Sequence, residues 1–248
     1  MIPASLVSLF HLVLHEACPL CGTRLEVTGG ETFCLSCRKA LPLIRSPLCL
    51  RCGMPFLSPE GDDHICGPCM LDPPPFSKAR SLGRYEGSLH DAIHRFKYHR
   101  MIPLGEALGK LMGNLSIPGI SWTSFDVIFP VPLHGKKLRA RGYNQSAVLA
   151  KSLARVADLP LDVFSFRKVR ETRPQTFLKA EARVKNVRGA FEVVNPAAVE
   201  GKRILLVDDV FTTGSTVREG VRELLRRGAA DVAVLTAARA VPRFMGGS

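Results

Sequence analysis

From residue 76 onward, apolar positions recur at two different periods. Leu89, Ile93 and Phe96, then Leu104, Leu108, Leu111 and Met112, fall three or four residues apart and predict amphipathic helices. The stretch 144–157 predicts a further helix with Val148, Leu149, Leu153 and Val156 inward. Another carries Val217, Val221, Leu224 and Leu225 on one face and stops at Gly228. Between these lie short continuous apolar runs: Phe125 to Phe129, stopped by Pro130 and Pro132, then Arg203 to Val207, and Val232 to Leu235. Such runs alternating with helices predict strands buried on both faces, hence an α/β domain with a Rossmann-like, largely parallel sheet.

Before residue 76 the pattern lapses. Met1 to Ala17 is apolar, but it carries no Lys or Arg and is interrupted by His11 and His15. It lacks the basic start of a secretory signal and is too short to span a membrane, so a short packing helix over 1–17 is expected. No other segment is a candidate span. The expected compartment is the cytoplasm, where clustered cysteines bind metal more often than they form disulfides.

All eight cysteines fall between Cys18 and Cys69, in four Cys-x-x-Cys knuckles: Cys18/Cys21, Cys34/Cys37, Cys49/Cys52 and Cys66/Cys69. The spacing repeats, with 31 residues from Cys18 to Cys49 and 32 from Cys34 to Cys66. Two converging thiolate pairs give the tetrahedral set that Zn²⁺ takes in structural sites, with no position left open for catalysis. A region with so few large apolar side chains also needs a staple to fold. Two structural zinc ribbons are therefore expected, paired sequentially as the repeat suggests. The competing pairing is a cross-brace in which knuckles one and three share a metal. A redox role fits less well, since that motif normally occurs once beside a βαβ unit. His64 reads as a solvated loop residue, because eight cysteines already fill two sites. Asp72-Pro73-Pro74-Pro75 follows as a stiff spacer and a natural boundary.

Composition adds an address to the charge. The 248 residues allow one to two domains, and the formal net charge is +12. Residues 1–75 hold five Lys/Arg against seven Asp/Glu, and residues 76–248 hold 29 against 15. Two Zn²⁺ on eight thiolates would make the first region more negative still. The positive field therefore belongs to the second region, which favours a phosphorylated ligand there over a polyanion held by the ribbons.

The sharpest motif follows the run at Arg203: Ile204-Leu205-Leu206-Val207-Asp208-Asp209-Val210-Phe211-Thr212-Thr213-Gly214-Ser215-Thr216. Ligands of open α/β sheets bind at the carboxyl ends of strands. Adjacent carboxylates at Asp208 and Asp209 can accept hydrogen bonds from a vicinal diol. Thr212, Thr213, Gly214, Ser215 and Thr216 would present hydroxyls and backbone N–H groups to an anion at a helix N-terminus. Together they describe a site for a ribose 5-phosphate. A plain helix cap would not require two acids and three threonines. No Gly-Lys-Ser/Thr phosphate loop and no Gly-x-Gly-x-x-Gly fingerprint is present. Two basic stretches could lie over this site: His134 to Arg141, with Lys136, Lys137, Arg139 and Arg141, and Ser165 to Arg188, with Arg170, Arg173 and Arg183 among eight cations. Arg grips phosphate oxygens bidentately and Lys adds a point charge. Phe166 and Phe177 within the second stretch are potential stacking faces for a single-stranded nucleic acid.

The Asp208–Thr216 segment resembles the phosphoribosyl-pyrophosphate (PRPP) loop of type I phosphoribosyltransferases. With the double ribbon, and with Val131-Pro132-Leu133, Arg139 to Gln145 and Arg170 to Phe191, it resembles the ComF family. That resemblance implies a double zinc ribbon over 18–72, a proline linker over 73–75 and a phosphoribosyltransferase-like domain over 76–248. It implies PRPP bound with Mg²⁺, Asp208 and Asp209 in the catalytic role, and the two basic stretches as pyrophosphate and flexible loops. It also implies a part in handling incoming single-stranded DNA with DNA-uptake proteins, and phosphoribosyl transfer to an unidentified acceptor. A non-catalytic PRPP sensor, a single-stranded-DNA accessory module and a base-salvage transferase are the alternatives, and a monomer and a dimer are both compatible with the sequence.

Overall fold

The structure is a computed structural model that describes residues 17–25, 32–58, 60–171 and 189–242. The expected helix over 1–17 lies outside them except for Ala17. In the ribbon region two short helices start at knuckle cysteines: α1 (Leu35–Lys39) after Cys34, and α2 (Gly67–Leu71) after Cys66. The chain then runs β1 (Ala79–Arg84), α3 (Gly87–Tyr98), α4 (Ile102–Asn114), β2 (Val127–Pro130), α5 (Gly135–Arg141) and α6 (Gln145–Ala157). It continues with β3 (Phe166–Lys168), β4 (Phe191–Val193), β5 (Arg203–Phe211), α7 (Ser215–Arg226) and β6 (Asp231–Arg239).

Four strands form one sheet in the order β1-β6-β5-β2, and every pairing is parallel. The short β3 and β4 pair antiparallel beside it. The continuous apolar runs serve both faces by alternation. Leu82, Ile128, Leu205, Val207, Ala233 and Leu235 meet α3, α4 and α6 on one face. Val127, Phe129, Ile204, Leu206, Val232 and Val234 meet α7 and the β3–β4 pair on the other.

The expected elements form, with corrections at their ends. β2 stops at Pro130 as expected but starts at Val127 and not at Phe125, and its outer side is met by a short parallel bridge from Ile128 to Leu161. In α6, Leu149 and Leu153 are buried but Val148 is half-buried and Val156 is exposed, and the inward face takes in Ser146, Ala150, Ser152 and Ala154 instead. The strand begun at Arg203 runs four residues past Val207, so Asp208 and Asp209 belong to β5 and not to a following loop. The first basic stretch is helical: His134 caps α5, and Gly142 ends it in the left-handed region. Phe166 is buried, stacked 5.2 Å from Phe191 and edge-on to Phe129, which removes it as a stacking face for nucleic acid. Phe177 lies outside the described residues.

The ribbons do not stand apart from the sheet. Cys18, Leu25, Phe33 and Leu41 join the core of the helical face, while Cys49, Cys52 and Cys69 join the core of the other. Pro74 of the proline run is buried. No helix among the described residues is long and apolar enough to cross a membrane.

Candidate functional site

The cysteines group as the sequential pairing requires: Cys18, Cys21, Cys34 and Cys37 in one cluster, Cys49, Cys52, Cys66 and Cys69 in the other. Within each, all sulfurs lie within 4.8 Å of one another. A Zn–S bond of ~2.3 Å sets a tetrahedral S···S edge of ~3.8 Å. The Cys21–Cys34 and Cys52–Cys66 sulfurs are 3.6 and 3.8 Å apart, so the donor set fits zinc in both sites. Knuckle backbone N–H groups point at the sulfurs, as from Cys37 to Cys34 (3.5 Å) and from Cys66 to Cys49 (3.3 Å). Burial alone would raise the Cys49 thiol, but these N–H donors outweigh it and bring it to about 6, which prepares a thiolate. Gly53 turns its knuckle at φ +70, and a side chain there would strike the Ala79 carbonyl at 2.4 Å. His64 is exposed, stacks on Phe56 and lies outside both clusters.

The acid pair sits at the far end of β5. Val207 and Val210 pack on the helical face, while Leu206 and Phe211 pack on the other. The two-residue alternation of a strand therefore slips by one across Asp208–Asp209. This lets both carboxylates reach partners on the helical layer. Asp208 accepts from Ser146 Oγ and from the Asp209 N–H, each at 2.8 Å. Asp209 pairs with Lys97 Nζ at 2.9 Å, with both side chains mostly buried. Burial lifts the Asp208 carboxyl, and the neighbouring Asp209 lifts it further, to about 7. Burial pulls Lys97 down, but Asp209 beside it outweighs that and holds its ammonium above the ordinary lysine range.

Ser146 is placed by the start of α6. Asn144 caps the helix through the Ser146 N–H (3.1 Å) and donates to the Val131 carbonyl (3.0 Å), which fixes the helix to the end of β2. Tyr143 donates its hydroxyl to the Phe96 carbonyl and so ties the same turn to α3. After Phe211 the chain turns through Thr212 and Thr213 to Gly214, which caps α7 at φ +74. A side chain at Gly214 would meet the Phe211 ring at 2.6 Å. Thr213 and Ser215 share a hydroxyl hydrogen bond of 2.9 Å, and Thr216 is half-buried in the first turn of α7.

The basic residues divide. Burial and then Arg141 push Lys137 down, against the pull of Glu171. Burial and then Lys137 push Lys168 down to about 8, while Asp208 opposes them. Lys168 also lies 5.3 Å from the centre of the Phe191 ring. Lys137, Lys168, Arg170 and Asp208 thus share one field. Arg141 lies over Tyr98 and donates to Gln145 (2.9 Å), at the edge of that field. Arg139 is exposed on α5. Arg173 and Arg183 lie outside the described residues. Lys97 and Ser146 carry no sequence signal of their own: only the fold brings α3 and α6 to the end of β5.

The double zinc ribbon domain matches residues 9–70, and the phosphoribosyl transferase domain matches residues 144–242. The chain is 34% identical over 227 residues to the DNA utilization protein YhgH of Escherichia coli (strain K12), covering 90% of this chain and 96% of that one. It is 31% identical over 222 residues to Competence protein F of Haemophilus influenzae, covering 84% and 96%. Competence protein ComFC of Bacillus subtilis is 28% identical over 216 residues, covering 84% and 85%.

Proposed function

The chain belongs to the ComF family of competence and DNA-utilization proteins, and from that premise we propose that it binds PRPP with Mg²⁺ at the Asp208–Thr216 turn, serves the handling of incoming single-stranded DNA, and transfers the phosphoribosyl group to an acceptor. The observation that carries the binding reading is the pair Asp208 and Asp209, held by Ser146 and Lys97 one turn before the Gly214 cap of α7. The carboxylates accept from the two ribose hydroxyls. The turn from Thr212 to Thr216 faces the 5-phosphate with N–H and O–H donors. Lys137 and Lys168 face the pyrophosphate.

In the transfer, the bond from the anomeric carbon to pyrophosphate breaks and its electron pair leaves with the pyrophosphate. An acceptor lone pair forms the new bond, and the acceptor's proton passes to water or a base. The residues here position the sugar and offset charge as it develops on the leaving group. Mg²⁺ takes one or two carboxylates plus ligand oxygens, which Asp208 and Asp209 fit, and when bound it neutralises the pyrophosphate. The DNA part of the proposal rests on what the relatives are called and on the cationic second region.

The test is a titration of Mg–PRPP into the wild type and into Asp208→Ala/Asp209→Ala. The double variant should lose at least about tenfold in affinity, since two charge-assisted hydrogen-bond acceptors are gone. Equal affinity would refute the site. Pyrophosphate release on adding bases or single-stranded DNA separates a transferase from a sensor.

A further inference from the structure

Three of the chain's seven histidines, His90, His94 and His99, stand on α3 and the residue that caps it. The order His90-Asp91-Ala92-Ile93-His94 sets two imidazoles four residues apart with an acid after the first, an arrangement in which helices chelate metal. The stretch is helical throughout, so the two side chains share a face about 6 Å apart along the axis. That face is the outer one. Leu89, Ala92, Ile93 and Phe96 go to the core, while His90 is half-buried and His94 and His99 are exposed.

An imidazole nitrogen bound at ~2.1 Å puts the ring centre roughly 3.2 Å from the ion, so two rings sharing an ion have centres no more than about 6.4 Å apart. The His90 and His94 centres are 6.1 Å apart, and those of His94 and His99 are 5.6 Å apart. Asp91 Oδ1 lies 3.0 Å from His90 Nδ1. A carboxylate only accepts, so Nδ1 carries the proton and Nε2 keeps its lone pair for an ion, as metal-bound imidazoles are commonly oriented. The cations of the same helix are engaged elsewhere: Arg95 donates to the Leu20 carbonyl at 2.8 Å, and Lys97 pairs with Asp209 at 2.9 Å. His90 also lines a half-open cavity of about 270 Å³ with Tyr85 and Glu86, which leaves room for water as a further ligand. The three imidazoles are not drawn to one point as the cysteine sets are. The arrangement is therefore open where the ribbons are closed, and suits an exchangeable ion rather than a structural one.

We propose that His90 and His94 form a third metal site, which takes a borderline divalent transition-metal ion such as Zn²⁺ or Ni²⁺. His99 is within reach as a third ligand, and water fills the remaining positions. The site does not rest on the PRPP reading.

The experiment uses the full-length chain with its ribbons loaded with zinc. Nickel is the probe, because imidazole suits it while a tetrahedral set of four sulfurs suits zinc. Ni²⁺ is titrated by calorimetry, and the zinc content should stay at two per chain throughout. The wild type should take up nickel. His94→Ala should lose one ion or bind it at least about thirtyfold more weakly, and Asp91→Asn, which keeps both imidazoles, should weaken it about tenfold. Both residues are exposed, so neither change should move the urea midpoint without nickel. With nickel the wild-type midpoint should rise more than that of His94→Ala. His11 and His15 also stand four apart in the sequence, so His11→Ala/His15→Ala is the control and should retain the ion that depends on His94. The proposal is overturned if the wild type binds no nickel, if His94→Ala binds as many ions as tightly as the wild type, or if His11→Ala/His15→Ala loses all of them.

Discussion

The two ribbons come from one sequence repeat, yet they lie on opposite faces of the sheet and are held differently. In the first, Cys21 is exposed and Cys34 and Cys37 are half-exposed. A half-buried arginine of α3, Arg95, reaches it by donating to the Leu20 carbonyl at 2.8 Å. In the second, Cys49, Cys52 and Cys69 are buried. Two buried arginines from the sheet grip its knuckle: Arg80 on the Leu50 carbonyl (3.2 Å) and Arg239 on the Cys52 carbonyl (2.8 Å). The same metal motif thus does two jobs. The first ribbon covers the helical layer, and the second forms a wall at the carboxyl edge of the sheet.

The largest effect that tests this contrast is loss of one ligand from each ribbon. Cys69→Ser should leave one zinc per chain, destabilise the fold by more than about 5 kcal/mol out of the ~10–16 that a structural zinc supplies, and abolish Mg–PRPP binding. Cys21→Ser should also leave one zinc but keep PRPP affinity within about twofold. Metal analysis, urea unfolding and PRPP titration report all three, and equal loss of PRPP binding in both variants would erase the distinction. Next in size come the arginines. Arg239→Ala removes a buried, hydrogen-bonded, ring-stacked guanidinium and should cost about 3–4 kcal/mol, whereas Arg95→Ala removes one partly buried hydrogen bond and should cost about 1 kcal/mol. Unfolding curves that reverse this order would show that the first ribbon is the better anchored of the two.

The contrast was not visible in the repeat itself. Spacing alone identified both cysteine sets, because four sulfurs per zinc is a local demand that sequence states directly. The parallel sheet was legible for a similar reason: strands such as Ile204 to Val207 are buried on both faces and so read as unbroken apolar runs. The acid pair and its hydroxyl turn were legible because they are contiguous. What stayed hidden depends on contacts far apart in the chain. Lys97 reads as one cation among several on a helix, and only the packing of α3 against β5 makes it the partner of Asp209. Phe166 reads as an aromatic in a basic segment, whereas pairing of β3 with β4 turns it inward. Charge runs say as little about which cations act together: Arg139 and Lys137 lie two residues apart on α5, but Arg139 is exposed while Lys137 is half-buried and acts on Lys168.

A smaller effect comes from the protonation of Asp208, which belongs to the carboxyl end of β5 and not to either zinc site. Its carboxyl, raised to about 7, binds a proton more tightly folded than unfolded, where a value near ~3.9 applies. Its contribution to stability is therefore fullest below the unfolded value and is lost as pH rises towards 7. Asp208→Asn should match wild type near pH 4 and exceed it at pH 8 by about 2 kcal/mol, roughly half of what the full shift would give, since the group is only half-buried. Mg–PRPP affinity of the wild type should move the opposite way and strengthen between pH 6 and 8, as the carboxylate forms. A flat unfolding profile over that range would return Asp208 to an ordinary surface acid.

The smallest effect asks where the positive field resides. Glu171 pairs with Lys136 at 2.9 Å with both side chains well exposed, and it also acts on Lys137 beneath. An exposed pair adds little to stability, so Glu171→Gln should leave the unfolding midpoint unchanged. It does remove a negative charge beside the cations assigned to pyrophosphate. PRPP affinity should therefore rise about twofold at low salt and return to the wild-type value near 0.5 M, where the screening length falls to roughly 4 Å. Asp62 of the second ribbon, exposed and equally charged, offers the control. Asp62→Asn should leave PRPP affinity unchanged at every salt concentration. If both neutralisations tightened binding alike, only the net charge of the molecule would count, and the ribbons would contribute to holding the phosphate on equal terms with the sheet edge.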